Sequence, residues 1–298
     1  MNKSLEVLKE IYKPYRYTIK NKVTIIETTS GDFVIKEKHN NIGKLYNYLS
    51  IRNFNNFPSL IDETRKDINV FKYLEDTYEP LEQKYDDLIT LVASLHNKTC
   101  FYKEVSEDNY KTIYENVLNN INYLKSYYEN LYDTYFKEVY SSPSNYMFLR
   151  NYNKISDALE FCKSNLEEWY NLVKDLKEIR VVLLHNNLDI SHFIKSDKDY
   201  LISWDNYKFD TPVLDIVNLY KKEYLKINFE EYLKKYLELF PLLEYEKKLF
   251  FILIVLPPKM GEYDSEFKKC ENMGKFLDYI FKTERLVRPY YSNENKEE

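Results

Sequence analysis

The sequence predicts an α+β protein: a small antiparallel sheet with one helix over residues 1–75, then a long, mostly helical remainder. Three observations predict it. Apolar and polar residues alternate along 15–19, 23–28 and 32–36, the period of half-buried strands. Leu88, Leu91, Val92 and Leu95 recur at i, i+3, i+4 and i+7, the stripe of a core-facing helix. Late in the chain, the aliphatic run 181–184 leads into a polar loop, 185–192, and a hairpin, which reads as a buried strand carrying chemistry at its end.

Taken in order, Leu5, Leu8, Ile11 and Tyr12 have helical spacing, so residues 4–12 read as a short amphipathic helix ending before Pro14. The three alternating stretches follow, joined by turns at Asn21-Lys22 and Ser30-Gly31. Residues 41–52 read as a helix, and 58–61 with 69–74 complete five strands.

Beyond the helix carrying Leu88 to Leu95, residues 107–139 are charged, rich in tyrosine and helical in pattern. Ser142-Pro143-Ser144-Asn145-Tyr146 breaks that pattern. Ser156 and Asp157 can cap a further helix, lined by Leu159, Cys162, Leu166, Trp169, Val173 and Leu176. The hairpin pairs 193–195 with 200–204 around a Lys-Ser-Asp-Lys-Asp turn. Helices are then expected over 213–225, 229–240, 243–256 and 262–286, with a frayed polar tail at 293–298.

Composition narrows the functions. The net charge of −5 provides no basic field for nucleic acid. The longest apolar run, 249–256, is too short to span a membrane, and the first residues lack the apolar core of a signal peptide. Three dispersed cysteines without a CxxC read as reduced thiols, so a cytoplasmic location is expected. The four glycines lie far apart, which excludes a P-loop, a dinucleotide fingerprint and a G-x-S-x-G elbow.

Five strings occur in a telling order: Phe33-Val34-Ile35-Lys36, LVASLHNKT at 91–99, HNNLDISH at 185–192, ISWD at 202–205 and DTPVLDI at 210–216. Together they resemble the aminoglycoside phosphotransferase and choline kinase superfamily. That family writes H-G-D-x-x-x-x-N for its catalytic loop, I-D-[WF]-[ED] for its metal strand and G-D-P-x-x-D-[LI] after it. An L-A-x-L-H-x-x-T signature comes earlier. The resemblance implies a two-lobe protein-kinase-like fold, with an N-lobe over 1–75 and a helical C-lobe over 76–298. The run 240–260 also resembles the C-terminal part of the spore-coat branch of that superfamily.

His185, Trp204, Pro212 and Asp215 keep the pattern, but the positions that do chemistry do not. Asn187 stands at the catalytic Asp position, His192 at the metal-binding Asn position and Ser203 at the metal-binding Asp position. Lys36 matches the phosphate-binding lysine, or is simply a solvated lysine at a strand end. No Asp or Glu lies between Lys38 and Ile61 to pair with it. Tyr73 and Glu75 fall at the hinge that contacts a nucleotide in the family. Asp215 is expected to be buried and structural, accepting hydrogen bonds from amides around 185–187. His96 is expected to be structural as well.

Three functions follow. The first is a catalytically inactive binding or scaffolding module, with ATP and magnesium bound weakly or not at all, and with a protein or small-molecule ligand as partner. The second is an active ATP-dependent small-molecule phosphotransferase with relocated carboxylates, Asp189 as base and Asp205 as metal ligand. On a continuing strand Asp205 would share a face with Ser203. The third is an unrelated helical interaction protein. Neither nucleic acid nor membrane is expected as a partner.

Overall fold

The computed structural model describes residues 12–20, 23–38, 41–62 and 67–292. All but the last residue of the expected first helix, the Asn21-Lys22 turn and the tail at 293–298 lie outside the described residues. The chain divides into two compact units: Met1–Cys100 with Leu183–Phe209, and Phe101–Val182 with Asp210–Glu298. This division differs from a boundary after residue 75. Inside the first unit, loop 53–56 is hydrogen-bonded both to a later helix and to the late hairpin: Lys98 Nζ donates to the Asn53 carbonyl at 2.7 Å, and Asn56 Nδ2 to that of Asp199 at 2.8 Å.

The first unit holds a five-stranded sheet of order β1-β2-β3-β5-β4, antiparallel throughout. Its strands are β1 (Arg16–Lys20), β2 (Val23–Thr28), β3 (Gly31–Glu37), β4 (Leu60–Asp62) and β5 (Ile68–Lys72). Alternation works as expected: Ile26, Ile35, Ile68 and Val70 point to one side and form a core against which Phe33 and Tyr12 pack. The β2–β3 turn closes where Thr28 Oγ1 donates to the Gly31 carbonyl at 2.6 Å. Gly31 there has φ of 125°, a conformation that side-chain-bearing residues rarely adopt.

Helix α1 (Ile42–Ile51) starts at Asn41, whose side chain accepts from the Lys44 amide at 3.2 Å. It buries Ile42, Leu45, Tyr46 and Leu49, again i, i+3, i+4 and i+7. Helix α2 (Leu81–Thr99) buries Leu88, Leu91, Val92, Leu95 and His96. Thr99 Oγ1 donates to the Leu95 carbonyl at 2.7 Å and accepts from the Leu183 amide at 3.1 Å.

In the second unit, β6 (Phe101–Glu104) pairs antiparallel with β7 (Glu178–Leu184), in register from Phe101↔Val181 to Glu104↔Glu178. The sequence reading missed β6, whose four residues show too little alternation to register. Helix α3 (Glu107–Phe136) precedes α4 (Pro143–Val173), and here the structure corrects the reading. Ser156 and Asp157 cap nothing, because α4 runs straight through them. The true start is Ser142, which accepts from the Asn145 amide at 3.3 Å, followed by Pro143, whose missing N–H costs nothing in a first turn. The core stripe of α4 begins earlier too, with Phe148 and Ile155 ahead of Leu159, Cys162, Leu166, Trp169 and Val173.

Four further helices follow: α5 (Val213–Glu223), α6 (Phe229–Leu239), α7 (Glu244–Val255) and α8 (Glu266–Ser292). Asp215 is fully buried in the first turn of α5. Arg180 on β7 forms a buried bidentate pair with Glu246 on α7, and its Nη2 also donates to the Pro241 carbonyl at 2.9 Å. Among the described residues, no helix is long and apolar enough to cross a membrane.

Candidate functional site

Lys36 sits near the end of β3, the middle strand of the sheet, opposite Val23 on β2 and Asn69 on β5. Its ammonium donates to Ser203 Oγ at 3.1 Å and lies 3.8 Å from Asp205 Oδ2. Burial lowers the Lys36 pKa from its ordinary value, and the Asp205 carboxylate opposes that shift.

A cavity of about 200 Å³ opens beside this trio. Val34, Ile42, Tyr46, Phe71 and Ile202 give it apolar walls, with Lys36, Ser203 and Asp205 as its polar side and Tyr73 also on the lining. Tyr46 stacks on Phe57 with ring centroids 4.1 Å apart. Burial, and then the Asp205 charge, push the Tyr46 phenol up from its ordinary value. The sequence reading missed Ile42 and Tyr46 as site residues. Their i, i+4 spacing put them on one face of α1, the helix that in an active kinase supplies the glutamate partner of the lysine.

Ser203 and Asp205 reach Lys36 by a different route from the expected one. The hairpin pairs β8 (Phe193–Lys195) with β9 (Asp199–Leu201), and β9 stops short of Ser203. Ser203 has φ of 66°, in the left-handed region, and Trp204–Asn206 form a 3₁₀ turn. Asp205 therefore reaches the lysine from a turn, and the shared strand face is not what brings it there. Trp204, almost fully buried, holds the turn by donating Nε1–H to the Leu201 carbonyl at 2.7 Å.

The loop after β7 is organised by its own side chains. His185 is fully buried, donates through Nε2 to the Ile202 carbonyl at 2.8 Å and meets Trp204 edge-on at 4.7 Å. Asn186, with φ of 56°, donates to the Asn206 carbonyl at 2.9 Å. Asp189 caps the 3₁₀ turn Ile190–His192, accepting from the Ser191 amide at 2.9 Å and its hydroxyl at 2.7 Å. His192 Nδ1 donates to the Asn187 carbonyl at 2.8 Å.

Of the expected site residues, Lys36, Tyr73, Ser203 and Asp205 thus line one cavity. Asn187, Asp189 and His192 sit on the loop and are not part of its walls, and Glu75 is exposed to solvent. A magnesium ion prefers a set of oxygen ligands with carboxylates among them. Among the described residues, Asp205 is the one carboxylate beside Lys36 and Ser203. Among the described residues, no three or more His, Cys, Asp or Glu side chains are grouped to hold a metal.

No protein-family model matches the chain, and no curated protein matches it in sequence. Solved structures do. The chain is similar to an aminoglycoside phosphotransferase from Alicyclobacillus acidocaldarius, with 8% identity and a TM-score of 0.67 over 93% of this chain and 92% of that one. It is also similar to spectinomycin phosphotransferase in its AMP-bound complex, with 12% identity and a TM-score of 0.54 over 97% and 94% of the two chains. At these identities the likeness is one of fold.

Proposed function

We propose, from the protein-kinase-like fold of the aminoglycoside phosphotransferases that this chain has, that it is a catalytically silent binding or scaffolding module. The observation that carries this reading is the Lys36–Ser203 hydrogen bond of 3.1 Å. A neutral hydroxyl stands beside the lysine where the family motif places a metal-binding carboxylate. Phosphoryl transfer is positioning plus charge stabilisation, supplied by lysine, metals and the carboxylates that hold them. Asn187 adds a second deficit. An amide cannot take a proton as a carboxylate does, and losing a general base lowers rates by roughly 10²–10⁴.

A second reading has one observation in its favour, the Asp205 carboxylate 3.8 Å from Lys36. Asp205 would then serve as a relocated ligand in an active phosphotransferase. Asp189 is the weaker half of that reading, because its carboxylate is occupied in capping the Ile190–His192 turn.

Calorimetric unfolding and a coupled ADP-release assay with millimolar Mg-ATP separate the two. A ligand at 100 times its Kd raises stability by about 2.7 kcal/mol, an easily seen shift. The silent module shows no such shift and no magnesium-dependent ATP consumption. Turnover that Asp205→Ala abolishes establishes the relocated carboxylate instead.

A further inference from the structure

The cavity beside Lys36 is walled by one face of the sheet. Val34 on β3 stands opposite Ile25 on β2 and Phe71 on β5, so the three lie side by side on the face that turns away from the Ile26 and Ile35 core. Ile202 and Ile42 add aliphatic surface from the late hairpin and from α1. All of these residues belong to the first unit. An apolar cavity of about 150 Å³ accepts a benzene ring. The space here, about 200 Å³, therefore suits one ring or two fused ones.

The polar groups of the lining divide into two kinds. Lys36 and its neighbours answer one another, through the 3.1 Å hydrogen bond to Ser203 and the 3.8 Å approach of Asp205. Lys72 and Tyr73, also on the lining, are exposed to solvent. Tyr46 is different. It is only 8% exposed and its ring is fixed on Phe57 at 4.1 Å, yet among the described residues nothing hydrogen-bonds its hydroxyl. After burial, the Asp205 charge raises the pKa of this phenol further, so the group stays protonated and is a donor.

A buried donor without an acceptor is costly, and a ligand that accepts from it removes that cost. An ion entering the same space would lose its water against apolar walls and meet a cation that already has its carboxylate. We infer that the cavity binds a neutral aromatic molecule of one or two fused rings, with a hydrogen-bond acceptor on its edge taking the Tyr46 O–H; this rests on the silent-module reading and names the ligand class of its cavity.

Quinoline and naphthalene share one shape and differ by a single ring nitrogen, an acceptor that is neutral in mildly alkaline buffer. Both are titrated by calorimetry against the full-length protein, with 2-naphthoate as the charged probe. Tyr46→Phe keeps the ring on Phe57 and is expected to lower the ratio of quinoline to naphthalene affinity about five-fold, the size of one hydrogen bond. The naphthoate is expected to bind at least about ten-fold more weakly than quinoline. Val34→Phe, which fills the cavity from β3, is expected to abolish binding of both neutral probes, and it carries the test if melting curves show Tyr46→Phe unfolded. An unchanged ratio in Tyr46→Phe, binding that survives Val34→Phe, or naphthoate binding as tight as quinoline overturns the inference. So does a failure of quinoline to bind a protein that releases no ADP from Mg-ATP, and that result leaves the silent reading intact. ADP release overturns the silent reading and this inference with it.

Discussion

Lys36 donates a hydrogen bond of 3.1 Å to Ser203, a residue 167 positions further along the chain. The bond ties the middle strand of the sheet to the left-handed residue at the end of the late hairpin. The same ammonium lies 3.8 Å from the Asp205 carboxylate.

Replacing that hydroxyl with a carboxylate should therefore be tolerated. Asp is among the residues that accept left-handed backbone most readily, and an ammonium bonds more strongly to a carboxylate than to a neutral hydroxyl. Ser203→Asp is expected to raise stability in urea denaturation by about 1 kcal/mol, a gain kept small by solvent access and side-chain ordering. A variant less stable than the parent would show that the Lys36 contact is not formed.

The cluster around Lys195 should respond in the opposite direction. This ammonium pairs with Asp87, with Asp199 at 3.0 Å and with Glu79 at 3.8 Å. The hydrogen bonds it donates to Asp87, then Asp199, hold its pKa above the ordinary lysine value. Lys195→Met leaves three carboxylates together without their cation, and a loss of about 1–2 kcal/mol is expected, smaller in high salt. Urea titrations at two ionic strengths check both the loss and its salt dependence.

Asp215 should be costly to remove. It is fully buried, and a buried carboxylate is retained only where donors satisfy it. Asp215→Ala strands those donors, so at least about 2 kcal/mol of destabilisation is expected. Equal midpoints for variant and parent in guanidinium would contradict a structural role.

Alkali should unfold the protein cooperatively. Burial raises the phenols of Tyr46, Tyr110, Tyr128 and Tyr279, and pushes Tyr220 up to about 12, against an ordinary value of 10.0. The sign follows from proton counts. Between the unfolded and folded values, the unfolded chain has already lost protons that the folded chain keeps, so stability falls as pH rises. The full contribution is present below pH 10 and is lost progressively above it. The last part of the tyrosinate absorbance change, from the buried phenols, should coincide with the loss of circular dichroism. Exposed phenols such as Tyr78 and Tyr140 titrate first, with the fold intact; a tyrosinate absorbance that runs to completion while the helical signal is unchanged would mean that the five named side chains are not buried.

Local pattern alone determined a good deal of this protein. Strand alternation put Ile26 and Ile35 on the core side of the sheet, helical spacing put Leu88 to Leu95 on the buried face of α2, and the ordered motifs pointed to the kinase-like fold that the solved structures share. These are short-range signals, because a period of two or of 3.6 is written into neighbouring residues. Long-range and conformational choices were not legible. Whether Ser156 caps a helix depended on Ser142-Pro143 offering a better start upstream. Whether Asp205 reaches Lys36 depended on the left-handed turn at Ser203, which no propensity of serine foretells. Sequence specifies which face of each element is apolar; only the packing of those elements decides which polar groups meet.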